Sequence, residues 1–78
     1  MLKKIKSLAF MKNYAESKGG SIDDDGAYLI SGGYVVSDMF KFMGRRYEMS
    51  HDAGRIWPYR IEGARNYDWP EWMVEDVD

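Results

Sequence analysis

The chain has 78 residues, no cysteine and a formal net charge of −2. A chain this short buries only about 60% of the surface its unfolded form exposes, which bounds it to one small core. The missing thiols exclude a disulfide framework and thiolate chemistry at a metal or a substrate. No apolar run approaches the ~20 residues of a membrane-spanning helix.

The start, Met1 to Lys6, has a charged head like that of a signal segment. The run behind it is broken by Lys12 and Asn13, and no small-residue cleavage site follows. The expectation is a cytosolic protein with one domain over residues 1–78. Residues 1–20 form a helical layer and residues 21–78 a small sheet or barrel with a short C-terminal helix.

Charge is unevenly spread. Residues 1–20 hold five Lys and one Glu, so +4; residues 21–60 are near balance at −1. Residues 61–78 hold one Arg against six acids, so −5. A small polarised protein has a field that steers a charged partner.

Residues 2–17 fit an amphipathic helix, with Leu2, Ile5, Leu8, Met11 and Ala15 at three- and four-residue spacing. Lysines in a first turn oppose the helix dipole, by ~0.3–1 kcal/mol each. A start near Ser7, a capping residue, avoids that cost, and Gly19-Gly20 stops the helix.

Ser21-Ile22 and residues 27–30 read as a hairpin turned by Asp25-Gly26, since Gly accepts positive φ without a clash. Ser31-Gly32-Gly33 turns the chain again into a strand at Tyr34-Val35-Val36. Ser37 is placed to cap a helical turn that reaches Met43, and Gly44 to end it.

In residues 45–50, Tyr47 and Met49 alternate with Arg46 and Glu48 as in a half-buried strand. Trp57, Tyr59 and Ile61 share one face of the next strand. Pro58 cannot donate to a ladder, so that strand is an edge or carries a bulge. Asp68 and Glu71 are spaced like a capping box, with Pro70 favouring a first turn. A helix from about Trp69 to Glu75 is expected.

The pattern as a whole predicts an α+β fold. An N-terminal amphipathic helix packs on a small antiparallel, partly closed sheet of four or five strands. Twelve aromatic side chains are expected to fill the core, large rings being efficient at it.

Catalytic and metal constellations are weak. Asp23-Asp24-Asp25-Gly26 lacks the alternating acids and the distant Glu of a calcium loop, and a solvated turn explains it. Ser50, His51 and Asp52 are neighbours in the chain, which rarely converge into a triad, and no nucleophile elbow is present. Glu71 and Glu75 share a helix face, but general acid–base work needs a pocket that shifts a pKa. No enzyme activity, cofactor or metal is expected.

Two surfaces suit recognition. Asp68, Glu71, Glu75 and Asp76, with Asp23, Asp24 and Asp25 nearby, would imitate phosphate charge and enter a basic groove on another protein. The alternative is Arg45, Arg46, Arg55 and Arg60 with Tyr67. That mixture holds single-stranded nucleic acid by guanidinium–phosphate contacts and base stacking. An isoelectric point near 5.3 weighs against this alternative.

From Tyr34 to Val77, about 44 of the 78 residues, the order of features resembles a family of small phage and mobile-element proteins. The residues that carry it are Val36, Ser37, Asp38, Met39, Gly44, Arg45, Arg46, Tyr59, Ile61, Trp69, Glu71 and Met73. The resemblance implies a small Src-homology-3-type barrel. It also implies a non-enzymatic inhibitor of a host-defence complex, of the anti-CRISPR kind, acting in the host cytosol on a protein or ribonucleoprotein.

Overall fold

The lysine-rich start of the chain is a strand, not the first turn of a helix. The computed structural model describes residues 1–29 and 33–77, the side chains of Leu29, Arg65 and Asn66 excepted. In it β1 spans Leu2–Ile5 and α1 spans Leu8–Ser17. Ser7 caps α1, its Oγ accepting the Phe10 N–H at 3.1 Å. Gly19, at φ 78°, and the Gly20 N–H donating to the Ala15 carbonyl at 2.8 Å close the other end.

The strand answers the dipole objection. Lys3 and Lys4 lie in register opposite Asp76 and Glu75 on an antiparallel neighbour, β8 (Val74–Asp76). Opposite charges directly across a ladder stabilise a pair that a helical turn would set against its own dipole.

The intervening strands are β2 (Ser21–Asp23), β3 (Gly26–Leu29), β4 (Gly33–Val36), β5 (Arg46–His51), β6 (Tyr59–Ile61) and β7 (Ala64–Trp69). Two 3-10 turns, Ser37–Phe42 and Glu71–Met73, complete the set. The class is α+β, with an N-terminal helix and antiparallel sheets. Among the described residues no helix is long and apolar enough to cross a membrane.

The chain divides into two compact units. One comprises residues 1–6 and the chain from Gly44 onward. It is a five-stranded antiparallel half-barrel in the order β7-β6-β5-β1-β8. Its buried side chains include Ile5, Met49, Tyr59, Ile61, Trp69 and Met73. The other unit, residues 7–43, lays α1 against β2 and β3 of a three-stranded sheet, order β2-β3-β4. It buries Met11, Ala15, Ala27, Val35, Met39 and Met43.

Several expectations need correction. Among the described core residues five are methionines and only Tyr59 and Trp69 are aromatic, so thioethers rather than rings fill the interior. Unbranched Met adapts to the irregular gaps that strands of three or four residues leave. Leu2, expected on a buried helical stripe, is exposed on β1.

The strand after Pro58 is internal, between β5 and β7. Pro58 stands just ahead of it, where the missing N–H costs the ladder nothing, and a register shift falls between Tyr59 and Ile61. Trp57 lies outside the strand.

The expected helix from Trp69 is one 3-10 turn, Glu71–Met73. A residue ahead of proline is pushed to extended geometry, which suits Trp69 as the end of β7. The next residues are taken by the ladder to β1.

Ser37 caps nothing with its side chain; its N–H donates to the Asp25 carbonyl at 2.9 Å. The expected turn at Ser31-Gly32 and the strand residue Ile30 lie outside the described residues, as does Asp78.

Candidate interaction surface

Within the half-barrel, each of the acidic residues singled out from the sequence meets a base. The Asp68 carboxylate accepts Arg60 Nε at 2.6 Å and Arg55 Nη2 at 3.2 Å. Glu71 Oε1 stands 2.9 Å from His51 Nε2, and the His51 ring meets Tyr59 edge-on at 4.7 Å. Glu75 lies 3.9 Å from Lys4 Nζ, and Lys3 donates to Asp76.

In the last pair each partner shifts the other, in opposite directions. The hydrogen bond from Lys3, then its positive charge, holds the Asp76 carboxyl below the ordinary aspartate value. The same bond raises the Lys3 ammonium above the ordinary lysine value, against a smaller opposing effect of burial.

The arginine set is divided in the same unit. Arg55 and Arg60 serve Asp68. Arg45 and Arg46 are exposed, and Arg46 stands in register opposite Lys4. Tyr67 is half-buried on β7. Asp52 does not turn to its neighbour His51: its Oδ1 accepts the Gly54 N–H at 3.1 Å, shaping its own loop.

The three-stranded sheet of the other unit is arranged differently. Its register sets Ser21, Tyr28 and Tyr34 side by side, and Ile22, Ala27 and Val35 side by side. Alternation sends the two rows to opposite faces. Ala27 and Val35 are buried, whereas Tyr28 and Tyr34 are 64% and 39% exposed. Their ring centroids are 4.6 Å apart, with planes tilted by 50°.

The hairpin turn between β2 and β3 borders this face. Asp23 Oδ1 accepts the N–H groups of Asp25 (2.8 Å) and Gly26 (3.1 Å), so this carboxylate builds the turn. Asp24 and Asp25 are exposed, and among the described residues neither forms an ion pair. The Tyr34 hydroxyl donates to the Asp25 carbonyl at 3.4 Å.

Tyr34 crosses Gly26. A Cβ at Gly26 would lie 3.0 Å from the Tyr34 hydroxyl and 2.2 Å from the Val35 carbonyl oxygen. Burial first, then the charge of Asp23, Tyr28 and finally Asp25, raises the Tyr34 phenol above the ordinary tyrosine value. The same hairpin rims an open groove of about 390 Å³ lined by Leu8, Lys12, Ile22, Asp23, Asp24 and Phe40.

The seven acids marked from the sequence therefore fall into two groups. Asp68, Glu71, Glu75 and Asp76 are paired with bases within the half-barrel; Asp24 and Asp25 form no ion pair among the described residues, and Asp23 closes their turn. Tyr28 and Tyr34 were not marked as site residues. The Asp25-Gly26 turn carried part of the signal, since its register sets Tyr28 opposite Ser21 and away from Ala27. The pairing of Tyr34 with Tyr28 is set by the β3–β4 register, which alternation within either strand does not reveal.

No family model matches the chain, and neither a curated protein nor a solved structure is matched to it.

Proposed function

We propose that the protein is a non-catalytic protein-binding domain whose working face is the outer side of β2-β3-β4, with Asp24, Asp25, Tyr28 and Tyr34. One observation carries this reading: an exposed pair of rings stands beside the Asp25 turn, whose Asp24 and Asp25 carboxylates form no ion pair among the described residues. The carboxylates steer a basic partner, and the rings give it a rigid apolar contact of low entropic cost. The rest of the acidic set contributes less to this face, because each member is held by a base in the half-barrel.

The half-barrel is read as a small barrel of the Src-homology-3 type. Its strand order supports this, since the last strand returns after a 3-10 turn to pair with the first. An inhibitor that places carboxylates where a nucleic-acid-handling host complex expects phosphates, as an anti-CRISPR protein does, fits such a surface. Single-strand binding through Arg45, Arg46, Arg55, Arg60 and Tyr67 has less support, because Asp68 holds two of the four guanidinium groups.

The test replaces Ser21, which shares the face, by a photo-crosslinking residue, and the captured partner is then purified and titrated calorimetrically. The wild type is expected to bind. The Asp24→Lys/Asp25→Lys double variant, with an unchanged circular dichroism spectrum, is expected to bind at least about tenfold more weakly, a loss of ~1.4 kcal/mol. Equal affinity of the two proteins refutes the acidic-face reading.

A further inference from the structure

The protein-binding reading leaves open which chemical group the face accepts, and the inference here rests on that reading. We infer that Tyr28 and Tyr34, with the carboxylates of the Asp23–Asp25 turn, form a recognition site for an arginine side chain presented by the partner.

The first ground is ring geometry. An aromatic face is electron-rich and attracts a cation within about 6 Å of its centroid. With centroids 4.6 Å apart and planes tilted by 50°, a guanidinium stacked on one ring stays within reach of the other. A planar guanidinium stacks on a ring and still offers its edge N–H groups to a carboxylate, which a compact ammonium does not. The Asp25 carboxylate, at the turn to which the Tyr34 hydroxyl is bonded, is the one placed to accept them, with the charge of Asp23 beside it.

The second ground is that the ring is held in place. Tyr34 occupies the space that the absent Cβ of Gly26 leaves, and its hydroxyl is tied to the Asp25 carbonyl. The phenol is thus fixed by the backbone of the same turn that carries the carboxylates.

The third ground is that this chain uses cation–ring contacts of the same kind. The chain does set its own cations over rings elsewhere: Lys18 Nζ lies 5.8 Å from the Tyr14 centroid and Lys41 Nζ 5.4 Å from that of Phe42. Among the described residues none is set over Tyr28 or Tyr34.

The test uses three short peptides, acetylated and amidated at their ends, of alternating glycine with arginine, citrulline or lysine. Each is titrated into the ¹⁵N-labelled full chain and followed by amide chemical shifts. The arginine peptide is expected to move the amides of Gly26, Tyr28 and Tyr34, and the isosteric but neutral citrulline peptide to leave them unmoved. Tyr28→Leu and Tyr34→Leu are each expected to weaken the arginine peptide about threefold, the scale of one exposed cation–ring contact. Tyr34→Phe keeps the ring and loses only the hydroxyl's bond to the Asp25 carbonyl, so it should be weakened less than Tyr34→Leu, which separates loss of the ring from a folding defect.

Equal shifts from arginine and citrulline overturn the inference. So do equal shifts from arginine and lysine, which would leave only unspecific charge attraction. A partner that loses affinity for the Asp24→Lys/Asp25→Lys variant while no peptide moves Tyr28 or Tyr34 overturns arginine recognition alone and leaves the protein-binding reading standing. Arginine-specific shifts at these tyrosines support the inference whatever the partner titration gives.

Discussion

Replacing Asp68 tests whether the half-barrel's charges are held inward. Asp68→Ala removes the only carboxylate bonded to both Arg60 (2.6 Å) and Arg55 (3.2 Å) among the described residues. Fully exposed ion pairs contribute 0.2–1 kcal/mol. Asp68 and Arg60 are only 30% and 34% exposed, so their short contact belongs near ~1 kcal/mol, after discount for solvent screening. Arg55 is 43% exposed and its contact longer, which places that pair near ~0.3 kcal/mol.

The sum predicts a loss of about 1–1.5 kcal/mol for Asp68→Ala, or roughly 4–10 °C in Tm for a domain of this size. Urea unfolding of Asp68→Ala, Arg60→Met and the double variant, closed as a cycle, should return a coupling near ~1 kcal/mol. The coupling should shrink in 1 M salt, where the Debye length is ~3 Å. The variant should also gain low-salt affinity for a single-stranded oligonucleotide, because two guanidinium groups are released to phosphate. A coupling below ~0.3 kcal/mol, with no gain in oligonucleotide affinity, would refute the reasoning.

Three further outcomes follow from the same geometry. Gly26→Ala drives a Cβ to 2.2 Å from the Val35 carbonyl oxygen, a backbone atom that cannot swing aside. Thermal unfolding should show a loss above ~1 kcal/mol, and the hairpin amides should shift. The Lys3–Asp76 pair confers stability across the range in which both are charged. The Asp76 carboxyl is lowered in the fold, so its contribution holds above the ordinary aspartate value and is lost as pH falls through the lowered one. The Lys3 ammonium is raised, so its contribution holds below the ordinary lysine value and is lost as pH rises through the raised one. In Lys3→Met, NMR titration should find the Asp76 carboxyl back at its ordinary value. In Asp25→Asn, ultraviolet titration should find the Tyr34 phenol lowered toward the ordinary value, because one of the charges opposing its ionisation is gone.

Local features were legible in the sequence and distant ones were not. The β2–β3 hairpin follows from Asp25-Gly26, the start of α1 from Ser7, and β5 from the alternation of Tyr47 and Met49 with polar neighbours. Each is decided within about six residues. Whether Leu2–Ile5 continues the helix or forms a strand is decided by Val74–Asp76, some 70 residues away, and nothing in the first turn encodes that partner. Likewise Asp68 looks like a helix cap until Arg60, across the β6–β7 hairpin, takes its carboxylate. The sole local hint was the lysine content of the first turn, which argued against a helix there without proposing a strand.

That distant pairing also changes the meaning of the charge pattern. An excess of +4 in the first twenty residues and −5 in the last eighteen suggests a protein with two opposed poles. Once β1 and β8 are neighbours, Lys3 and Lys4 stand against Asp76 and Glu75, and the asymmetry along the chain becomes complementarity across a ladder. Charges paired across a ladder project little field beyond a Debye length of ~8 Å at physiological salt. Among the described residues Asp24 and Asp25 form no such pair, so their charge stays open at the β2–β3 turn. On the proposed reading, a basic partner drawn to that turn meets Tyr34, whose hydroxyl is bonded there. For this reason charge reversal at Asp24 and Asp25 should cost more binding than the same reversal at Glu75 and Asp76.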